Sequence, residues 1–371
     1  MKRLDVNSAL LCSVFSKASV FCKKNTTPIL ETVKVEVKKD VCILSSYDGE
    51  NFILYRLPIC CTEETDFSFC ISMQSGFLPF LKTLGNQSIS LFIEGDTLKL
   101  RYKDRNMSKF PILDSSNFIE PKEVEGGHYV QINPEHIKNF LSSGKAFTSS
   151  DELRPIMGGV YLEVKDNKLT SSATDAHKLY VDSVDFENSE ELSFIINQNA
   201  ISAIVEMTNG AKEGELLEFY ICDNNISIKS NDCMIICRNI EGRFPNFRAV
   251  IPNESNVVTK VRFVTSDFIS LLNRMVIVTK GTKPLIKINI ENGACKITCE
   301  DVDFNRKNEE VVECEVKGEN MIIGLDASSL LSLVSNVQNE KFVMYIFAPD
   351  RPITIKEHGK NKVLLLSPMV V

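Results

Sequence analysis

The chain has 371 residues, 43% of them hydrophobic, and a formal net charge of −7, which is typical of a globular protein with several packed cores. No uncharged apolar run approaches the roughly 18 residues that a transmembrane helix needs. Asp5 interrupts the segment in which a signal peptide would carry its apolar stretch. We therefore expect a cytoplasmic protein with about two to four domains.

One order of elements occurs three times along the chain. A hairpin with alternating apolar residues begins at positions 33, 160 and 286, which are 127 and 126 residues apart. An amphipathic helix precedes each hairpin and a second helix follows it. In chain order, the predicted helices are Asn7–Cys22, Met73–Leu84, Asn133–Phe147, Asn197–Thr208, Ser266–Val278 and Asp326–Val337. Asn7, Asn133 and Ser266 are the expected N-cap residues.

Further short strands complete each repeat. The predicted ones are Ser88–Ile93, Leu98–Tyr102, Leu216–Ile221, Ile226–Ser230, Phe342–Phe347 and Ile353–Lys356. Many strands with few helices favour an α+β class, with two helices packed on antiparallel sheets in each repeat. Polar stretches with helix breakers, near Pro121 and Pro252, separate the repeats. We therefore expect three similar domains, at residues 1–120, 128–252 and 253–371.

The twelve cysteines are too sparse for a disulfide scaffold, and none lies between Cys70 and Cys222. Two pairs are spaced four residues apart, Cys233 with Cys237 and Cys295 with Cys299. Residues four apart in a strand share a face, so packing inside a sheet is favoured over zinc binding. We expect neither a metal nor a cofactor.

Common catalytic and phosphate-binding motifs are absent from the sequence. Only His177, in Thr174-Asp175-Ala176-His177-Lys178, has a neighbour that could orient a general base. No serine or cysteine nucleophile can be assigned to it, so a surface histidine that closes a hairpin is favoured. We expect a protein without catalytic activity.

Positive charge is concentrated in the helices. Six windows that contain the helices and their flanking residues together carry +6, and the rest of the chain carries −13; the windows are residues 7–25, 72–88, 133–147, 197–212, 266–283 and 325–341. If the helices share one surface, that surface attracts phosphates while the remainder repels them. Such contacts do not read base sequence. Ordinary solvation of exposed helices is the alternative explanation.

Five motifs in order resemble those of the bacterial β sliding clamp family. They are Thr27-Pro28-Ile29-Leu30, Leu153-Arg154-Pro155-Ile156-Met157-Gly158-Gly159-Val160, Ala173-Thr174-Asp175-Ala176-His177-Lys178-Leu179, Gly242-Arg243-Phe244-Pro245-Asn246-Phe247-Arg248 and Ser367-Pro368-Met369. Ala176 and Lys178 depart from the family's Gly and Arg. The resemblance extends over the whole chain.

The resemblance implies a processivity factor of the replicative DNA polymerase. Clamps of this family are head-to-tail homodimeric rings whose helices face duplex DNA. The residues expected to face DNA are Lys17, Lys23, Lys24, Lys82, Lys138, Lys145, Lys212 and Arg274. The dimer contact is expected at Phe110 of one protomer and at Ile277 and Val278 of the other.

The resemblance also implies a pocket between domains two and three for short linear peptides of the polymerase, the clamp loader and repair proteins. Its expected wall is Met157, Thr174, Ala176, His177, Leu179, Pro245, Val250, Leu366, Ser367, Pro368 and Met369. Ala249 stands where many relatives carry Arg, and Val370-Val371 replaces an Arg-containing tail, so partner specificity is open. Two alternatives remain from the sequence: a three-domain interaction scaffold that never encircles DNA, and an enzyme that uses His177.

Overall fold

The computed structural model describes residues 3–24, 27–59, 66–103, 105–122, 124, 126–188, 190–279, 284–291 and 293–370. Lys280 and Lys283, which contribute to the predicted charge of the fifth helix, lie outside the described residues. Val371 of the predicted tail lies outside them as well.

The helices occur where the hydrophobic periodicity predicts them. Over the described residues they are α1 Ser8–Ala18, α2 Phe77–Thr83, α3 Pro134–Gly144, α4 Gln198–Asn209, α5 Thr265–Val278 and α6 Ala327–Val334. Single 3₁₀ turns, Ser19–Phe21 and Lys145–Phe147, continue α1 and α3 to about their predicted ends. Within the described ranges, no helix is long and apolar enough to cross a membrane.

Two of the three predicted N-caps are present. The Asn7 side chain accepts hydrogen bonds from the first turn of α1, and Asn133 Oδ1 accepts one from Glu135 N at 2.8 Å. The prediction for Ser266 is wrong, because α5 already begins at Thr265 and has no side-chain cap. The Ser266 hydroxyl instead donates to Asp267 Oδ1 at 3.0 Å.

Pro79 does not break α2. The helix begins at Phe77, after Gly76 in a left-handed conformation, and Pro79 is its third residue. Backbone N–H groups of the first turn have no partner within a helix, so the missing N–H of proline is tolerated there. The helix is shorter than the expected Met73–Leu84, because Met73–Ser75 forms a separate 3₁₀ turn that ends at the left-handed Gly76.

The strands follow the threefold repeat. In the first third they are β1 Arg3–Asn7, β2 Thr32–Lys38, β3 Val41–Tyr47, β4 Phe52–Pro58, β5 Phe67–Ser72, β6 Ser88–Glu94, β7 Thr97–Tyr102 and β8 Asn106–Pro111. In the second third they are β9 His128–Ile132, β10 Gly159–Lys165, β11 Lys168–Thr174, β12 Lys178–Asp185, β13 Leu192–Asn197, β14 Leu217–Ile221, β15 Asn225–Lys229 and β16 Cys233–Arg238. In the last third they are β17 Thr259–Val264, β18 Leu285–Glu291, β19 Ala294–Asp301, β20 Arg306–Val312, β21 Glu315–Gly318, β22 Met321–Asp326, β23 Lys341–Ile346, β24 Ile353–Lys356 and β25 Val363–Leu366.

The chain forms two compact units. The first, residues 1–138 and 199–239, contains a four-stranded sheet β1-β6-β7-β8 and an eight-stranded sheet β5-β2-β3-β4-β16-β15-β14-β9. The second, residues 139–198 and 240–371, contains a nine-stranded sheet β13-β10-β11-β12-β25-β24-β23-β17-β21 and a four-stranded sheet β20-β19-β18-β22. Neighbouring strands in these four sheets are antiparallel, for example β12 with β25 and β4 with β16. The predicted α+β class of antiparallel sheets with few helices is therefore confirmed.

The paired cysteines lie in the cores of these sheets. Cys233 and Cys237 on β16, and Cys295 and Cys299 on β19, are all at most 3% exposed. Burial raises the pKa of Cys233 and Cys237 to about 12, so neither is a ready thiolate ligand. No group of three or more potential metal ligands occurs in the parts of the chain that the structure covers.

Candidate functional site

The loop between β11 and β12 builds one wall of a cavity in the second unit. Asp175 Oδ1 accepts hydrogen bonds from the backbone N–H groups of His177, at 2.9 Å, and Lys178, at 2.8 Å. The Thr174 hydroxyl accepts one from Ala176 N at 3.1 Å and donates to Lys178 O at 2.7 Å. Ala176 has a φ of +78°, at a position of a tight hairpin loop that favours glycine. These bonds fix the loop and leave the His177 ring exposed.

The C-terminal strand forms the adjoining wall. Leu179 of β12 pairs with Leu365 of β25, and both side chains are buried, at 3% and 4% exposure. Beyond β25, Ser367 N donates to His177 O at 2.8 Å. The end of the chain is therefore attached to the β11–β12 loop by the backbone itself.

A 3₁₀ turn, Phe247–Val250, supplies the opposite wall. Its Arg248 side chain packs over the Phe247 ring and forms an ion pair with Glu163 of β10. The Tyr161 hydroxyl donates to the same carboxylate at 3.1 Å, and the Tyr161 ring stacks on Phe244 at 4.7 Å. The turn is thus anchored to β10, while Val250 remains 53% exposed.

Together these elements enclose a cavity of about 210 Å³. Its lining is Met157, Thr174, Ala176, His177, Lys178, Leu179, Pro245, Asn246, Phe247, Val250, Pro352, Leu365 and Ser367. Most of these side chains are apolar, and the polar groups lie in the β11–β12 loop and at Asn246 and Ser367. A concave apolar site with a few oriented polar groups suits apolar side chains of a ligand.

Three residues predicted for this wall do not line the cavity. Leu366 is 1% exposed, and it follows Leu365 on the same strand. Since neighbouring residues on a strand face opposite sides, Leu365 faces the cavity and Leu366 does not. Pro368 and Met369 lie beyond the cavity along the chain. There, Met369 N donates a hydrogen bond to Gly324 O at 2.8 Å.

Five lining residues were missed from the sequence, namely Lys178, Asn246, Phe247, Pro352 and Leu365. Asn246 and Phe247 follow Pro245 in the same motif, so their place in the motif could have predicted that they line the cavity. The run Leu364-Leu365-Leu366 gives no alternation that would distinguish the two faces. Pro352 comes from the loop before β24, and no local pattern connects it with the cavity.

The geometry gives His177 no catalytic partner in Asp175. The Asp175 carboxylate is engaged by two backbone N–H groups of its own loop, and its other oxygen lies 3.8 Å from Lys178 Nζ. It therefore shapes the turn rather than orienting an imidazole.

The predicted DNA-facing cations are exposed, except Lys17, which is half-buried; the exposed ones are Lys23, Lys24, Lys82, Lys138, Lys145, Lys212 and Arg274. Two of the eight form ion pairs on the surface of the chain. Lys17 pairs with Glu206 of α4 at 3.1 Å. Arg274 forms a bidentate ion pair with Glu310 of β20, with N–O distances of 2.9 and 2.5 Å.

The residues predicted for the dimer contact also differ in accessibility. Phe110 is 8% exposed, because its ring packs edge-to-face on Phe77 and Phe80 at 5.2 and 5.4 Å. Most of the Phe110 ring is therefore covered within its own chain, and the contact at Phe110 stays a prediction. Ile277 is 67% exposed, and Val278 is half-buried.

Three family descriptions match consecutive parts of the chain. They are the N-terminal, central and C-terminal domains of the DNA polymerase III beta subunit, at residues 5–120, 131–246 and 248–369. The beta sliding clamp of Staphylococcus epidermidis is 22% identical over 350 residues, which cover 92% of each chain.

Solved structures agree with these sequence matches. The DNA polymerase III subunit beta of Pseudomonas aeruginosa has a TM-score of 0.90, with 18% identity and full coverage of both chains. The beta subunit of Thermotoga maritima has a TM-score of 0.89, with 19% identity over 100% of this chain and 99% of that one. The chain belongs to the DNA polymerase III beta subunit family, the bacterial beta sliding clamps.

Proposed function

We propose that two copies of this chain close head to tail into a ring that encircles duplex DNA and tethers the replicative polymerase. Membership of the sliding clamp family, whose members are processivity factors rather than catalysts, carries this proposal. The three repeated domains are assigned to residues 1–120, 128–252 and 253–371. The family matches at 5–120, 131–246 and 248–369 support these bounds. The proposed location is the cytoplasm, which is consistent with a clamp in DNA replication.

The exposed end of α5 supports the position of the ring contact. Ile277 projects an apolar side chain that is 67% exposed, and Val278 follows it. The outer strands β8 and β20 each carry a further exposed apolar residue, Met107 at 45% and Val311 at 73%. Exposed apolar edge strands are a liability unless something covers them. A head-to-tail contact between β8 with its neighbours and the α5–β20 side of a second copy covers both.

Solution mass tests this contact. Replacing Ile277 and Val278 by Ala is expected to shift the equilibrium towards monomer in sedimentation experiments at low protein concentration. The matched control is Ile322→Ala, because Ile322 is 50% exposed but lies on β22, at the opposite edge of the sheet from β20. An Ile277 and Val278 variant whose mass stays at the dimer value would overturn the assignment of the contact.

The cavity beside the β11–β12 loop is proposed as the docking site for partner peptides. Its floor of Leu179, Leu365 and Phe247 offers buried apolar contacts, while Ser367, Asn246 and the loop provide hydrogen-bonding groups. We infer that it receives the Leu and Phe side chains of a short motif with a Leu-x-Leu-Phe end. Polymerase subunits, the clamp loader and repair proteins are the partners proposed to carry such motifs.

Fluorescence anisotropy with a labelled Leu-x-Leu-Phe peptide tests this site. The peptide is expected to bind the intact chain, and a peptide with Ala at the Leu and Phe positions is expected to bind at least tenfold more weakly, since apolar anchors dominate such interfaces. Equal binding of the two peptides would show that the cavity does not recognise the apolar anchors.

A further inference from the structure

Two of the basic side chains on the proposed DNA-facing helices are held by carboxylates of the same chain. Lys17, in the last turn of α1, lies 3.1 Å from Glu206 Oε1 on α4. Its side chain is 30% exposed and lines a cavity of about 210 Å³ together with Tyr55 and Met207. The Lys17 ammonium is therefore directed at a carboxylate and partly covered.

The second pair has stricter geometry. Arg274 of α5 donates from Nε to Glu310 Oε1 at 2.9 Å and from Nη2 to Oε2 at 2.5 Å. Asn308 Nδ2 donates to the same carboxylate at 2.9 Å, and the hydrogen bond from Arg274 lowers the pKa of Glu310. The carboxylate therefore stays charged and in place on β20. A two-bonded Arg–carboxylate pair occupies the guanidinium edge that a phosphate would use.

Resting on the proposed encirclement of DNA, we propose that Glu206 and Glu310 act as restraining carboxylates, which keep Lys17 and Arg274 off the DNA phosphates. The exposed lysines at 23, 24, 82, 138 and 212 then supply contacts with DNA. Glu206 and Glu310 are positioning residues, since they act on DNA only through their cations.

The consequence concerns how firmly the ring holds DNA. Each protein cation that neutralises a phosphate releases counterions from the DNA. The slope of the logarithm of the binding constant against the logarithm of the salt concentration becomes more negative by about 0.9 for each such cation. Two cations withheld from DNA make the nonspecific contact weaker and less sensitive to salt. A weak contact suits a ring that must move along the duplex while topology keeps it bound.

The test is the salt dependence of binding to a short linear duplex, onto which a ring can thread without a loader. In Glu206→Gln, the released Lys17 is expected to steepen the slope by about 0.9. Affinity then falls about 3.5-fold more than that of the unmodified chain between about 50 and 200 mM salt. Lys17→Gln alone is expected to leave the slope unchanged, and the double variant is expected to match the unmodified chain.

The opposite pattern would overturn the proposal. If Lys17 contacts DNA directly, Lys17→Gln flattens the slope and Glu206→Gln leaves it unaltered. Glu135→Gln is the matched control, because Glu135 is an exposed acid on α3 and its removal is expected to leave the slope as it was. An equal steepening in Glu135→Gln would show that the effect is only the loss of a negative charge.

The same test is applied to the second pair, with Glu310→Gln, Arg274→Gln and the double variant. Dimer mass is measured in parallel, because Glu310 lies on the outer strand β20, which belongs to the proposed ring contact. An unchanged slope in Glu310→Gln at constant mass would overturn the proposal for α5. If the unmodified chain shows no salt-dependent binding to duplex DNA, the proposed DNA function itself fails. If it binds and Glu206→Gln does not steepen the slope, only the restraining role is lost.

Discussion

Replacing Val250 by Ala probes the proposed peptide site with little disturbance of the fold. Val250 lines the cavity from the Phe247–Val250 turn and is 53% exposed. The change removes two methyl groups, worth about 0.8 kcal/mol each when fully buried. About half of the Val250 side chain is still open to solvent in the free chain, so burying its two methyl groups contributes about 0.8 kcal/mol to the free energy of peptide binding. The variant is therefore expected to bind the peptide about fourfold more weakly.

Isothermal titration with a Leu-x-Leu-Phe peptide measures this loss, and thermal denaturation measures stability. The free energy of unfolding is expected to change by less than about 0.5 kcal/mol, since the side chain is already half exposed. Val302→Ala makes the same chemical change at a residue that does not line the cavity, and it is expected to leave peptide affinity unaltered. Peptide binding by Val250→Ala that equals that of the unmodified chain would refute the proposed docking site at this wall.

Three other changes have defined outcomes. Ala176→Gly is expected to raise the free energy of unfolding by up to about 1 kcal/mol in denaturant titration, because relief of the left-handed strain at φ +78° exceeds the added entropy of the unfolded chain. Truncation after Ser367 is expected to leave peptide affinity nearly unchanged, whereas truncation after Leu366 also removes the lining residue Ser367 and is expected to weaken peptide binding. Peptide titrations compare the two variants. An equal loss of affinity in both would place Pro368 or Met369 in the wall. Burial raises the pKa of Asp182, so the ionised carboxylate opposes folding at neutral pH and this penalty disappears as the pH falls through the folded-state pKa. Asp182→Asn is therefore expected to raise the melting temperature near neutral pH and to lose that advantage in mild acid.

Much of the fold follows from periodicity within short segments of the sequence. The threefold spacing of hairpins and helices is local information, and it placed all six described helices. The predicted cap at Ser266 is wrong because the N-cap position of α5 falls on Val264, the last residue of β17, whose side chain cannot accept a hydrogen bond. The preference for polar N-caps cannot locate a helix that begins without one.

The candidate sites show the same limit. Motifs identified most of the cavity lining, but Leu365 and Leu366 could be distinguished only once the pairing of β25 with β12 fixed the register. The ion pair between Lys17 and Glu206 joins residues from different repeats. Charge counts along the sequence cannot reveal this pair, because it depends on a tertiary contact between α1 and α4.

Retention on closed circular DNA is the decisive test of encirclement. The chain would be loaded onto a nicked circle by a clamp loader with ATP and then isolated at a salt concentration that abolishes ordinary protein–DNA contacts. The protein is expected to remain with the intact circle and to be released when one cut linearises it. Protein that stays on linear DNA with free ends, or that never remains on the circle, would contradict a ring held by topology.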